Sequence, residues 1–162
     1  MDANFKLSEL EELKYNAFIN AHMHDLEEPN CEIKTYQTSI RNIILNEGII
    51  NIGSHAFNTV KLTEINIPNS VLSIGNNAFY YCENLETITG GENIESIGSH
   101  AFYKCSRLIN FNFHSLKNIN SYAFAYCSSL EEITIPETVT SIGDHAFTYC
   151  YNITKINFNA IE

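Results

Sequence analysis

The sequence has no apolar run long enough to cross a lipid bilayer, and it has few cationic side chains. A membrane-spanning helix needs about 20 consecutive apolar residues, and no stretch approaches that length. Nine lysines and arginines stand against nineteen aspartates and glutamates, so the formal net charge is −10. Proteins bind nucleic acid through basic surface that displaces counterions. We therefore expect neither membrane insertion nor a nucleic-acid partner.

Signals for export and for catalysis are also missing. The first six residues, MDANFK, lack the charged-then-apolar plan of a secretion signal. The sequence contains no glycine-rich phosphate-binding loop, and the glycine pair Gly90-Gly91 is predicted to end a strand. An enzyme needs a nucleophile, a base and an orienting group that converge in a pocket, and no unique polar cluster is evident. We predict no catalytic residue and no cofactor.

What the chain does contain is a repeat that begins at Ile52. Its marker is a six-residue block that starts with isoleucine and ends with alanine and phenylalanine. The five copies are IGSHAF at 52–57, IGNNAF at 74–79, IGSHAF at 97–102, INSYAF at 119–124 and IGDHAF at 142–147. The leading isoleucines are 22, 23, 22 and 23 residues apart. A period of this length is typical of a solenoid whose units each contain a short strand and a return segment.

Each unit combines two kinds of segment. The strand segments, such as 62–67 and 130–135, alternate apolar and polar residues, so one side faces the coil interior and the other faces outward. The Ile-Gly-x-x-Ala-Phe block is predicted to open a short helical turn that closes the coil from the far side. Burial within one unit cannot offset the entropy lost in ordering about 22 residues. Stability must therefore come from stacking between units.

Residues 67–88 and 135–150 contain the pattern Ile-Pro-x-x-Val-x-Ser-Ile-Gly-x-x-Ala-Phe-x-x-Cys, which resembles the BspA-type leucine-rich repeat over about residues 40–158. The resemblance implies an α/β fold, a right-handed leucine-rich-repeat solenoid with a parallel β-sheet on its concave face. It also implies a family common on cell surfaces and among secreted adhesins that bind host or matrix proteins. The departures are Val60 in place of the cysteine, Asn120 in place of the glycine, and Ser115-Leu116 in place of the proline-containing turn.

Residues 1–30 do not fit the repeat and are predicted to form an N-terminal helical cap. Ser8 and the glutamate three residues later have capping-box spacing, and apolar residues then recur at helical spacing. We predict one amphipathic helix from about Ser8 to Leu26, because a terminal repeat is usually covered by a polar cap. Residues 31–162 would then form the solenoid, with one degenerate unit followed by about five BspA-type repeats.

The repeated cysteines and histidines are predicted to be structural. The cysteines recur with the coil and match no zinc-ligand spacing, so we expect free thiols buried as small apolar side chains. They are Cys82, Cys105, Cys127 and Cys150. The histidines at one repeat position are two coils apart, roughly 10 Å at the usual strand spacing, and cannot share an ion. They are His55, His100 and His145. We predict no metal site.

The residues on either side of each strand's central apolar residue point outward, onto the predicted concave face. Solenoids commonly bind partners on such a face, and asparagine and threonine both donate and accept hydrogen bonds. The predicted partner-binding residues are Asn42, Glu64, Asn66, Thr87, Thr89, Asn110, Asn112, Glu132, Thr134, Lys155 and Asn157. The alternative is that these side chains only satisfy one another along an exposed sheet.

A rival surface lies on the convex side, because tyrosine is enriched at binding hot spots. Its candidate residues are Tyr80, Tyr81, Tyr103, Tyr126 and Tyr149.

Together these features predict a non-catalytic scaffold for protein recognition or adhesion. The alternative is a structural module that self-associates, or caps a larger repeat array, through its C-terminal strand edge, because an unpaired edge invites another chain. The family resemblance favours the cell surface or secretion. The absence of a secretion signal and the odd number of cysteines, five, favour a reducing compartment such as the cytoplasm.

Overall fold

The computed structural model describes residues 5–7, 12–13 and 43–158, which form a parallel β-solenoid of about five turns. The solenoid predicted from the repeat period is thus confirmed, and so is the parallel sheet that the family resemblance implies. In chain order the strands are β1 (Phe5–Leu7), β2 (Glu12–Leu13), β3 (Ile43–Leu45), β4 (Asn51–Ile52), β5 (Glu64–Ile67), β6 (Ser73–Ile74), β7 (Thr87–Gly90), β8 (Ser96–Ile97), β9 (Asn118–Ile119), β10 (Glu132–Ile135), β11 (Ser141–Ile142) and β12 (Lys155–Phe158).

Six two-residue strands form a continuous sheet along one side, in the spatial order β11–β9–β8–β6–β4–β2. We call it the short-strand sheet. The leading isoleucine of each block stands in register with that of the next coil, as Ile52 does with Ile74 and Ile74 with Ile97. All are buried except Ile142 in the last coil. One repeat position therefore builds one row of this sheet and of the core beneath it.

A second side, which we call the long-strand face, carries β3, β5, β7, β10 and β12. β5 pairs with β7 and β10 with β12 over four residues each, whereas β3 pairs with β1 and not with β5. The segment at 108–113, which occupies the strand position of its repeat unit, forms only one bridge, between Thr87 and Asn110. The larger Phe111 replaces the isoleucine of other coils and stacks on Phe124, with ring centroids 4.3 Å apart. The segment forms no ladder with β10.

The third side, the turn face, contains the Ala-Phe blocks, and the predicted helical turn is wrong there. The amides of Phe57 and Thr59 donate to the carbonyls of Ala78 and Tyr80 in the next coil, both at 2.7 Å. The intervening amides donate to carbonyls three residues earlier. Two residues of each turn adopt left-handed φ values between 55° and 63°: His55, Thr59, Asn77, Tyr81, His100, Lys104, Tyr122, Tyr126, His145 and Tyr149. This alternation aims every second amide at the neighbouring coil, which a helical turn cannot do.

A ladder of phenylalanines runs through the core. Successive ring centroids along Phe57, Phe79, Phe102, Phe124 and Phe147 are 5.2, 5.0, 5.1 and 5.4 Å apart. The first four rings are fully buried, and the described residues include no buried polar or charged side chain. The core is thus a stack of equivalent apolar layers, in which each layer packs against the one before and the one after.

The column of cysteines lies beside this ladder. All four thiols are free, and the predicted burial is confirmed for Cys82, Cys105 and Cys127, whereas Cys150 is half-buried. Each thiol donates a hydrogen bond of 3.0–3.2 Å to a phenylalanine carbonyl in the preceding coil. Burial raises the pKa of these thiols, to about 11 for Cys150 and further for the other three. The column therefore ties neighbouring coils together through protonated thiols.

The predicted N-terminal helix is not shown, and Glu12 and Leu13 within its range form β2, which pairs with β4 in parallel. β1 likewise pairs with β3. Parallel pairing satisfies the backbone groups along the edge of the first coil, which a helix laid across that edge would leave unpaired. The rest of the predicted helix, from Ser8 to Leu26, lies outside the described residues.

Candidate functional site

The predicted partner-binding residues lie together on the long-strand face. Ten of the eleven are described, and Asn42 lies outside the described residues. Eight are exposed, and Thr134 and Asn157 are half-buried. They alternate with buried side chains such as Ile65, Ile88 and Ile133. The period-2 pattern therefore assigned their side of the strand correctly.

Part of this surface satisfies its own hydrogen bonds. The Thr89 hydroxyl donates to the side-chain amide oxygen Oδ1 of Asn66 at 3.0 Å. At the other end, the Lys155 ammonium lies 2.9 Å from a Glu132 carboxylate oxygen, which also accepts from the Asn157 amide. The bonds from Lys155 and Asn157 lower the pKa of Glu132. The two ends of the face thus behave as the alternative interpretation expected, with polar side chains paired along the sheet.

The centre of the face differs from its ends. Within the described part of the chain, the side chains of Thr87, Asn110 and Asn112 make no hydrogen bond, and no backbone hydrogen bond joins 110–113 to β10. All three side chains are exposed. Four of the ten described residues of the predicted set make no side-chain hydrogen bond, and three of them lie where the regular strand pairing is interrupted, the fourth being Glu64.

A shallow cavity of about 250 Å³ lies toward the N-terminal end of the same face, where β3 and β5 do not pair. Its described lining includes Ile44, Glu64, Asn66 and Thr89. It is small beside the usual 300–1,000 Å³ of small-molecule sites. The face is thus better suited to a broad contact than to an enclosed ligand.

The turn face carries a connected patch of tyrosines, which we call the tyrosine patch. It consists of Tyr80, Tyr81, Tyr103, Tyr126, Tyr149 and Tyr151. Tyr80 stacks on Tyr103 at 5.1 Å, and ring packing continues through Tyr126 to Tyr149 at 5.2 and 4.5 Å. Partial burial and neighbouring tyrosines raise the pKa of Tyr80 and Tyr126. The five tyrosines assigned to this side from the sequence therefore form a continuous surface.

Lys104 lies within the tyrosine patch. Its ammonium nitrogen is 4.6 Å from the ring centroid of Tyr81 and 5.8 Å from that of Tyr126. A hydrogen bond with the Tyr81 side chain raises the pKa of Lys104. These distances are those of cation–π interactions. Neither this lysine nor Tyr151 was predicted from the sequence, although alignment of the repeats places Lys104 between Tyr81 and Tyr126 in one column.

The histidine column runs beside the tyrosine patch and does not form a metal centre. His100 stacks on Tyr122 at 4.9 Å, and Tyr122 on His145 at 5.0 Å. Across the described ranges, no group of three or more histidine, cysteine, aspartate or glutamate side chains could hold a metal ion. Nor is there, in the same ranges, any helix with the length and apolar character of a membrane span.

The family assignment follows from the sequence itself. The profile described as "BspA type Leucine rich repeat region" matches residues 3–60 and 34–154, in six copies. The chain therefore belongs to the BspA-type leucine-rich repeat family. The match begins at residue 3, inside the segment that was predicted to be a helical cap. No curated protein matches the chain significantly.

Solved structures of similar proteins share the fold. A leucine rich cell surface protein from Faecalibacterium prausnitzii is 38% identical, with a TM-score of 0.64, over 68% of this chain and 31% of that chain. A leucine-rich repeat protein from Bacteroides ovatus is 39% identical, with a TM-score of 0.63, over 67% and 29%. The Treponema pallidum leucine rich repeat protein is 26% identical, with a TM-score of 0.64, over 70% and 65%. The region matched is thus under a third of the first two proteins.

Proposed function

We propose that this chain is a non-catalytic scaffold that recognises a protein partner through its long-strand face. The observation that carries the proposal is the unused hydrogen-bonding capacity of Thr87, Asn110 and Asn112 at the centre of that face. Energetically dominant contacts cluster near the centre of an interface. The mutually bonded pairs at the two ends would then form a polar rim.

One relative supports a location at the cell surface. The Faecalibacterium prausnitzii relative is a cell surface protein, and the described part of the solenoid presents a long, exposed polar face. We propose that the chain acts at a cell surface, where such a face meets other proteins.

The proposal is tested by surface plasmon resonance against a panel of purified extracellular-matrix and serum proteins. For any protein that binds, the double variant Asn110→Arg, Asn112→Arg should weaken binding at least tenfold, because two bulky cations then occupy the centre of the face. The matched control is Leu72→Arg with Thr140→Arg, which adds the same charge at exposed positions next to β6 and β11. The control should bind within about twofold of wild type. Equal losses of affinity in both variants would exclude the long-strand face as the binding surface.

A second candidate function, self-association, is favoured by the last described coil, which carries β11 and β12. Ile142, Ile156 and Phe158 are 48, 50 and 71% exposed. Among the described residues, the amides of Phe147 and Tyr149 donate to no further coil. Such an edge is a template for another strand. Light scattering from about 5 to about 200 μM should then show a rising mass that Ile156→Lys with Phe158→Glu abolishes. A constant monomer mass would exclude this function.

A further inference from the structure

The tyrosine patch already holds one cation, and this shows what kind of group it accepts. Lys104 lies over Tyr81 and within reach of the Tyr126 ring. An ammonium or guanidinium group is attracted to the negative face of an aromatic ring. The interaction is therefore an internal example of the chemistry that the patch offers to an incoming side chain.

The far end of the patch has exposed tyrosine rings over which no cation lies within the described part of the chain. The rings of Tyr126 and Tyr149 are 4.5 Å apart, and those of Tyr149 and Tyr151 are 5.7 Å apart and inclined by 54°. Tyr149 is 47% and Tyr151 75% exposed. Within the described ranges, no lysine or arginine lies over either of these two rings. Two inclined and accessible ring faces are thus left open.

The surrounding charge favours a cation as the occupant. Residues 43–158 contain ten acidic and five basic side chains. Three of the basic side chains are bound to glutamates in the neighbouring coil, and Lys104 is held by tyrosines. Glu83 contributes to the raised pKa of Lys104, and the exposed Asp144 lies on the last turn beside the histidine column. The net negative field would attract a basic partner and accelerate its association.

We propose that Tyr126, Tyr149 and Tyr151 form a receptor for a lysine or arginine side chain from a basic segment of a partner protein. This site lies on the turn face and is chemically distinct from the polar centre of the long-strand face. Its existence does not depend on that face binding anything. The incoming cation would lie over the exposed faces of the Tyr149 and Tyr151 rings, as the Lys104 ammonium lies over the Tyr81 ring.

Fluorescence anisotropy with a labelled octapeptide of alternating arginine and glycine tests the proposal. The matched probe replaces each arginine with citrulline, which keeps the shape of the side chain and removes its charge. At 50 mM salt the arginine peptide should bind at least tenfold more tightly than the citrulline peptide, and an acidic glutamate-glycine peptide should not bind. Equal binding of the arginine and citrulline peptides, or preferential binding of the acidic peptide, would overturn the proposal.

Ring variants separate the tyrosines from general charge attraction. Tyr149→Asn with Tyr151→Asn removes both rings, and asparagine tolerates the left-handed backbone at position 149. Removing two exposed cation–π interactions corresponds to about fivefold to thirtyfold weaker binding of the arginine peptide. Tyr149→Phe with Tyr151→Phe keeps the rings and should bind within about twofold of wild type.

The charge control is Glu64→Gln with Glu137→Gln, two exposed acidic positions outside the patch. It should lose less affinity than the asparagine variant. An equal or greater loss of affinity would show that the peptide binds through the net charge of the protein and not through the tyrosine rings. Tyr151→Asn alone, at the most exposed ring, repeats the test in a variant whose fold depends least on the changed side chain, and unchanged affinity there would also overturn the proposal.

Discussion

Truncation of one core phenylalanine tests whether the solenoid is stabilised layer by layer. Phe102 is fully buried and stacks on Phe79 at 5.0 Å and on Phe124 at 5.1 Å. Replacing a buried phenylalanine with alanine costs about 3–5 kcal/mol of unfolding free energy, and each aromatic pair contributes roughly 0.5–1.5 kcal/mol beyond its buried area. We expect Phe102→Ala to fall in the upper half of that range, about 4–5 kcal/mol.

The matched variant is Phe147→Ala in the last coil. Phe147 stacks on Phe124 at 5.4 Å and is only partly buried. Because it packs against a ring on one side only and has less buried area to lose, its truncation should cost about 1–3 kcal/mol. The ratio of the two losses in unfolding free energy measures how strongly each layer is stabilised by its neighbours. Such nearest-neighbour stabilisation is characteristic of repeat proteins.

Urea unfolding followed by far-ultraviolet circular dichroism measures both costs. For Phe147→Ala, the slope of unfolding free energy against urea concentration should equal that of wild type within error. The loss of stability should then appear only as a lower midpoint urea concentration. Phe102→Leu serves as a size control and should cost less than Phe102→Ala because it leaves a smaller cavity. Equal costs at positions 102 and 147 would refute the layer-by-layer account. A larger cost at 147 would refute it as well.

The core of this fold can be predicted well from the sequence, because each buried position recurs in several repeats. Ile74, Phe79, Cys82 and Leu85 fall at repeat positions and are all buried. The outward-facing columns follow from the same period-2 alternation. Each such assignment is reinforced by its equivalents in the other coils, so a single departure such as Asn120 does not change the fold.

Backbone conformation in the turns is less accessible from sequence. Left-handed φ usually indicates glycine, yet the turns place histidine, tyrosine and lysine there, as at His100 and Lys104. The cost is offset by amides that bond alternately within the turn and across to the next coil. These bonds depend on the neighbouring coil and cannot be seen in one unit. At β2, pairing with β4 likewise overrides the local helical spacing.

The interactions that define the tyrosine patch arise between coils as well. Tyr81, Lys104 and Tyr126 are 22 or 23 residues apart, so no local window brings them together. Alignment of the repeats predicts their column, but the position of the ammonium over the Tyr81 ring depends on rotamers and on the left-handed turn. A functional site in this fold therefore combines residues from neighbouring coils, and it can be predicted only by comparing equivalent positions of successive repeats.

Three further predictions concern the thiols and the N-terminal edge. Cys150, half-buried, should react with iodoacetamide at pH 8 well before Cys82, Cys105 and Cys127, as followed by intact-mass and peptide analysis; simultaneous labelling of all four would contradict the buried column. Burial holds the thiol pKa in the folded state above its value in the unfolded state. As pH rises above about 9, the unfolded chain therefore loses the thiol proton first, and the free energy of unfolding falls. The slope is up to about 1.4 kcal/mol per pH unit for each thiol. Cys105→Val should flatten this slope between pH 9 and 10, measured by urea unfolding, and an unchanged slope would contradict it. Deletion of residues 1–13 removes β1 and β2, so β3 loses its partner strand and β4 keeps only β6. Because an unpaired strand edge recruits other strands, we expect aggregation on size-exclusion chromatography. A monomer with unchanged melting would show that this edge is satisfied in another way.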